Sequence, residues 1–260
     1  MHYVIQENIF REQNYDNLII ALERLKLSYE IIKLVPFIDT IEFKSKRKDV
    51  FPFGAVKLAR ISKQYNWKPG SQLNENHNFF VYRNYYKENL LNYNSKIIKM
   101  YDNFFSKKPF FVRPITDAKD FTGKTFDMLE WEEFKKYFLI NNPNKNIEIQ
   151  IAPIRKIQKE IRFWIVNGKV ITASQYKLGS LVCYNNLVDN DATLFCEKML
   201  KLFQLNDAFV MDICLVDNEY KIVECGCINA AGFYKADLQK LLISLENHFN
   251  FIKSAPKQRR

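Results

Sequence analysis

The sequence predicts an α+β protein, and three stretches predict it. Ala208–Val216 and residues 220–227 are short, β-rich apolar runs around a polar turn, which reads as a buried hairpin. Asn167-Gly168 separates the runs 161–166 and 169–177, the best short-range hairpin signal in the chain. At the other end, Tyr3-Val4-Ile5, a helical period at Leu18, Ile19, Leu22 and Leu25, and the run 28–35 make a β-α-β opening. It carries no glycine fingerprint for a dinucleotide, so it reads as scaffold.

The remaining elements follow in order. Residues 53–65 read as a helix after the Pro52 break, and Pro69-Gly70 marks a turn. In 75–108, Tyr82, Tyr85, Tyr86, Leu90 and Leu91 have helical spacing and read as core rather than as a base-stacking platform. Phe110-Phe111-Val112-Arg113-Pro114 is a buried strand ending in a cation. Residues 129–140 form a helix, Asn142-Pro143-Asn144 a break, 147–152 a strand, 187–205 a helix and 237–248 the closing helix.

With 47% hydrophobic and 26% charged residues, the 260-residue chain has the composition of a soluble globular protein of one large or two smaller domains. Its net charge of +10 favours anionic ligands without choosing among nucleotide phosphates, nucleic acid and acidic substrates. The clusters Lys44-Ser45-Lys46-Arg47-Lys48 and Lys257-Gln258-Arg259-Arg260 read as solvated loop and tail, with nucleic-acid contact as the alternative. No apolar run approaches the ~20 residues of a membrane span, and the start MHYVIQENIF lacks the form of a signal peptide. Five cysteines, mostly in apolar runs, read as reduced core residues of a cytoplasmic protein. Their spacing, with only three histidines, argues against zinc. His77 and His248 have no evident partners and read as structural or surface residues.

Asp212 and Glu224 lie inside the last apolar hairpin. If its loop is Asp217-Asn218-Glu219, Val216 faces Tyr220 and Asp212 falls opposite Glu224; a two-residue loop would put the acids on opposite faces. Opposed like charges repel, and a buried carboxylate costs several kcal/mol unless paired. Val210, Cys214, Val216 and Ile222 on that face offer no counter-charge. Either the acids share a divalent cation, for which oxygen ligands suit Mg²⁺, or each finds its own Lys or Arg. On the Asn167-Gly168 hairpin, a two-residue turn pairs Val166 with Lys169, Arg162 with Ala173 and Glu160 with Gln175. Glu160, Arg162, Gln175 and Lys177 then share one face, either a solvated exterior or a wall facing a polyphosphate. Upstream, Arg113, Lys119 and Lys124 flank Phe121-Thr122-Gly123, where backbone N–H groups could approach a phosphate. There is no Walker loop.

Taken in order, these groups resemble the ATP-grasp family. The resemblance is carried by FFVRPITDAKDFTGKTF, KEIRFWIVNGKVITASQYK and DICLVDNEYKIVECGCINAAGFYKAD, and covers roughly residues 50–250. Arginine at 113 stands where most members have lysine, as in a clade of phage and bacterial proteins. The resemblance implies two α+β subdomains gripping ATP, residues 75–146 and 147–260, after a small α/β domain, residues 1–74. It implies that Arg113, Lys119 and Lys124 approach the ATP phosphates. Glu160, Arg162 and Lys177 would line the phosphate and acyl-phosphate region. Backbone groups of Gln150, Ile151 and Ala152 would read the adenine edge. Asp212 and Glu224 would bind Mg²⁺. The family usually has Glu-x-Asn, but position 226 is glycine. Either Asn229 reaches the metal through a bulge or the site has lost a ligand.

The implied function is an ATP-dependent ligase that forms an acyl phosphate and joins a carboxylate to an amine, on a small-molecule or peptide acceptor. The alternatives are a nucleic-acid-modifying or end-joining enzyme on the same fold, and a degenerate nucleotide-binding module. The acceptor pocket would be built by residues 36–108 and 229–237.

Overall fold

The computed structural model describes residues 1–7, 14–35, 37–38, 40–73, 78–116 and 120–254, with side chains as far as residue 250. The chain runs β1 (His2–Gln6), α1 (Tyr15–Arg24), β2 (Ser28–Ile32), β3 (Val50–Phe53), α2 (Val56–Gln64), α3 (Phe79–Tyr86), β4 (Lys96–Lys99), β5 (Phe110–Pro114), β6 (Lys124–Phe126) and α4 (Met128–Asn141). It continues with β7 (Glu148–Pro153), β8 (Lys159–Val166), β9 (Lys169–Leu178), β10 (Leu181–Asn185), α5 (Asn190–Leu202), β11 (Ala208–Val216), β12 (Glu219–Cys227) and α6 (Leu238–Ser254).

Three sheets result. The first is parallel, in the order β2-β1-β3. Its central strand is buried throughout, as expected of a strand covered on both faces. β3 ends on Phe53, which the sequence predicts as the first residue of a helix. Pro52 fits there because β3 is an edge strand, where a missing N–H breaks no ladder, and the helix begins only at Val56.

The second sheet, β4-β7-β5-β6, is antiparallel. Helix α4 covers it with Trp131 and Phe138. The helix starts at a reciprocal cap: Glu130 N–H donates to Asp127 at 2.9 Å, and Asp127 N–H donates to Glu130 at 3.0 Å. Because β7 is hydrogen-bonded in this sheet, the chain leaves it after Pro153.

The third sheet, β10-β9-β8-β11-β12, is antiparallel and two-faced. Ile161, Phe163, Ile165, Phe209, Met211 and Ile213 pack on one side against α3 and α5. On the other side Trp164, Val166, Ala208 and Val210 share a core with Tyr3, Phe53 and α6. The small N-terminal sheet thus lies on the same face that continues, two residues along each strand, into Arg162 and Asp212. That face is apolar where the first sheet covers it and charged beyond.

Among the described residues, no helix is long and apolar enough to cross a membrane. All five cysteines are free, and Cys196, Cys214 and Cys225 are buried.

Candidate active site between two sheets

The acids meet, but not by the route the sequence suggests. The β11–β12 turn has two residues, Asp217 and Asn218, both with positive φ (49° and 62°), and Val216 faces Glu219. Such a turn alone would set Asp212 and Glu224 on opposite faces. The register shifts between Ile213 and Asp212: Ile213 pairs with Ile222, Asp212 pairs with Glu224, and Val223 is the extra residue. This bulge returns Glu224 to the face of Asp212.

The counter-charge absent from the hairpin comes from the next strand. Asp212 is in register with Arg162 on β8. Arg162 Nε and Nη2 donate to the two Asp212 oxygens at 2.7 and 2.8 Å, a bidentate pair in which the side chains are only 11% and 4% exposed. Arg162 Nη1 also donates to the Gly232 carbonyl at 3.4 Å. Its guanidinium lies 4.9 Å from the Tyr234 ring centre and 5.8 Å from that of Tyr176. Burial pushes the Asp212 carboxyl above its ordinary range, against the opposing pull of Arg162; Glu224 and Glu160 add to the rise. Asp212 holds Arg162 firmly protonated in spite of burial.

The β8–β9 hairpin departs from its expected register in the same way. The Asn167-Gly168 turn pairs Val166 with Lys169 as expected, and Gly168 needs its positive φ of 68°. Extra residues at Ile171 and Tyr176 then shift β9, so Arg162 faces Ser174 and Glu160 faces Lys177. Gln175, expected on the charged face, is displaced by Tyr176. Lys177 donates to Glu160 Oε1 at 2.9 Å, and the single Tyr176 hydroxyl proton is donated to Glu160 Oε2 at 2.6 Å. With Glu160 and Asp212 buried, this face is an enclosed wall and not a solvated exterior. Burial, reinforced by Asp212 and Glu160, raises the Tyr176 hydroxyl far above its usual range.

The second sheet supplies the opposite wall. Arg113, on β5, donates from Nη2 to Glu224 Oε2 at 3.1 Å, bridging the two sheets. Gln150 is in register with Arg113 and buried, and donates to Ser95 Oγ at 2.9 Å. The backbones of Gln150 and Ile151 have strand neighbours on both sides and that of Ala152 on one, paired with Phe111, and beyond the sheet the chain continues as 154–158. A cleft of about 270 Å³ opens there, lined by Ala152, Pro153, Arg155, Leu91, Val216 and Lys221.

Three expected residues stand elsewhere. Lys119 lies outside the described residues. Lys124 is exposed on edge strand β6, its ammonium 5.1 Å from the Phe126 ring centre. Gly123 beside it packs closely on the Phe111 ring, and a Cβ there would come within 2.7 Å of the ring edge, so the ring would have to shift. Asn229 is buried and turned to the N-terminal unit. Its amide donates to Pro52 O at 2.8 Å, and its Oδ1 accepts from Gln72 N–H at 2.6 Å. The expectation that a bulge aims Asn229 at the metal is corrected: the bulge is upstream at Val223, and the Asn229 amide is engaged in joining the first sheet to the end of β12. Tyr176 and Tyr234 escaped the sequence reading, because a bulge and a left-handed Tyr234 (φ 49°) place their rings.

No curated protein matches the chain. Solved structures similar to it include D-alanine–D-alanine ligase from Bacillus anthracis complexed with ATP, at 15% identity and a TM-score of 0.58, covering 97% of this chain and 98% of that one. D-cycloserine synthetase DcsG has 8% identity and a TM-score of 0.62, over 96% and 100%. A RimK domain ATP-grasp protein from Sphaerobacter thermophilus DSM 20745 has 9% identity and a TM-score of 0.58, over 96% and 98%. At these identities the likeness establishes the fold. A family model for an ATP-grasp domain, the third family of its clade, matches residues 52–245, so the chain belongs to that ATP-grasp family.

Proposed function

We propose that the protein is an ATP-dependent ligase that activates a carboxylate as its acyl phosphate and joins it to an amine. The observation that carries this reading is the contact of two walls: Arg113 on one sheet meets Glu224 on the other, whose sheet also carries the Asp212–Arg162 and Glu160–Lys177 pairs. Such a cleft sets cations for phosphates beside acids for a cation. Family membership and the ATP bound in the similar Bacillus anthracis ligase support it.

The donor set fits Mg²⁺. Two carboxylates are directly opposed, all candidate donors are oxygens, and burial leaves Asp212 wanting further positive charge. Glu224 and Asp212 would hold the ion, which when bound offsets charge on the terminal phosphates. Arg113 leaves Glu224 for the phosphate oxygens, a charge-assisted exchange of one anion for another. Lys177, partly exposed and anchored by Glu160, meets the transferring phosphoryl group. The substrate carboxylate attacks the γ-phosphorus, ADP leaves, and the amine then displaces phosphate from the acyl phosphate. No protein nucleophile is required; the chain contributes position and electrostatics. The base end of the nucleotide fits the cleft beside Ala152, Pro153 and Arg155.

The first test is thermal stability with Mg·ATP, Mg·ADP and AMP. A native-state ligand at a hundredfold excess over Kd stabilises by about 2.7 kcal/mol. Protection that needs both Mg²⁺ and the terminal phosphates supports the site. Hydroxylamine trapping of an acyl phosphate across a panel of carboxylates then tests turnover. Nucleotide protection with no ADP release for any acid–amine pair would favour a nucleotide-binding module.

A further inference from the structure

Gln150 and Arg113 are directly opposed on neighbouring strands, so their side chains rise from the same face of the second sheet. Gln150 is only 3% exposed, and its amide is held at one end. Nε2 donates to Ser95 Oγ at 2.9 Å and to the Asn92 carbonyl at 3.3 Å. A carbonyl can only accept, so this partner settles which end of the amide is nitrogen. The other end, Oε1, takes no protein donor among the described residues. A buried amide oxygen in that state is costly until a donor reaches it.

Arg113 has donors to spare. A guanidinium carries five N–H groups, and among the described residues Arg113 makes one hydrogen bond, from Nη2 to Glu224 Oε2 at 3.1 Å. The two side chains are 23% and 42% exposed, so water screens that pair and it is readily exchanged. Gln150, Arg113 and Glu224 line one cavity of about 30 Å³ with Leu90, Ile222 and Val223. It has room for a water or two. A nucleobase needs the larger cleft of about 270 Å³ beside Pro153. Among the residues lining the small cavity Arg113 is the only cation.

We infer that Gln150 is a positioning residue for Arg113: when Arg113 leaves Glu224, Gln150 Oε1 accepts one guanidinium N–H and keeps the remaining donors turned to the phosphates. This rests on the nucleotide reading above. A neutral amide suits the task. A carboxylate at 150 would pair with Arg113 as Glu224 does and would set another negative charge beside the phosphates. An apolar side chain would leave the guanidinium unordered until the ligand arrives, and its lost rotamer freedom would weaken binding.

The test is isothermal titration of the full chain with Mg·ATP and with adenosine, in a double-mutant cycle of Gln150→Met and Arg113→Ala. Gln150→Met, of similar length, should weaken Mg·ATP about tenfold, the loss expected for one charge-assisted hydrogen bond, and leave adenosine unchanged. In the Arg113→Ala background the same change should have almost no effect, because the group it positions is gone. Gln150→Glu should weaken Mg·ATP more than Gln150→Met does and again spare adenosine. A role in folding alone would lower the stability of Gln150→Met with both affinities unchanged, and would overturn the inference. Equal losses for Mg·ATP and adenosine would place Gln150 against the base and overturn it as well, as would full additivity of Gln150→Met and Arg113→Ala. A wild-type chain that binds no Mg·ATP would overturn the nucleotide reading itself, and this inference with it.

Discussion

Asp212 and Glu224 share one proposed task, yet the structure gives them very different weights in the fold. Asp212 and Arg162 are joined by two short hydrogen bonds, with side chains 4% and 11% exposed. Asp212→Ala leaves a buried guanidinium without its anion, which costs on the order of 3–5 kcal/mol. Glu224 is 42% exposed and its partner Arg113 23%, with one hydrogen bond of 3.1 Å. Solvent screens that pair, so Glu224→Ala should cost about 1 kcal/mol or less. For a chain of this size, each kcal/mol moves Tm by about 2–4 °C. Asp212→Ala should therefore lower Tm by on the order of 10 °C, and Glu224→Ala by a few degrees at most. Both should abolish the Mg²⁺-dependent part of nucleotide protection. Calorimetry of the two variants without ligand, then with Mg·ATP, reads both effects. The double change Arg162→Met with Asp212→Leu should recover most of the lost stability, since it removes both charges at once. Equal destabilisation by the two single changes would refute the account, as would no recovery in the double variant.

Arg113→Ala should weaken ATP by on the order of 30-fold, the value of about 2 kcal/mol for a charge-assisted bond, and leave adenosine unchanged; isothermal titration with both ligands separates a phosphate contact from a structural role. Asn229→Ala should cost about 1–3 kcal/mol in denaturant unfolding, because Gln72 N–H and Pro52 O lose their buried partner, while the Mg²⁺ response of nucleotide binding persists. The raised Asp212 carboxyl predicts a pH effect. A carboxyl raised by burial is protonated at higher pH than an ordinary aspartate, so Mg²⁺-dependent protection is lost as pH falls through the raised value. Thermal-shift Mg²⁺ titrations against pH should show that loss beginning above the ordinary aspartate value of about 4; loss confined to that ordinary range would contradict it.

Much of this was legible in the sequence because it is local. The Asn167-Gly168 turn, the apolar run of β11 and the cation at the end of β5 each follow from neighbours within a few residues. The α+β class follows as well, whereas the meeting of Asp212 with Glu224 is expected from a three-residue loop and is reached instead through a two-residue turn and the bulge at Val223. What escaped depends on strand order and on extra residues. Arg162 as the partner of Asp212 requires knowing that β8 lies beside β11. Tyr176 instead of Gln175 on the charged face requires a bulge that no composition marks. Asn229 as a tie to Pro52 and Gln72 requires the first sheet to dock on the third, across more than 150 residues of chain. The strand neighbours of Gln150 and Ile151 on both sides likewise depend on strand order, since β4 and β5 flank β7 from distant parts of the chain.

The extra residue at Val223 acts as a phase reset between the tip of the β11–β12 hairpin and the acids. Which face each side chain takes at the tip is decided by the turn, and which face Glu224 takes is decided after the reset. The two are mechanically uncoupled, so a tip of different length or composition need not disturb the chemistry five residues away. In a lineage of such proteins, drift in this turn would be nearly silent. Loss of the single residue at 223 would alter the local strand path at the carboxylates themselves, so tolerance to insertion and deletion along this hairpin should change abruptly at the bulge instead of grading with distance from the site.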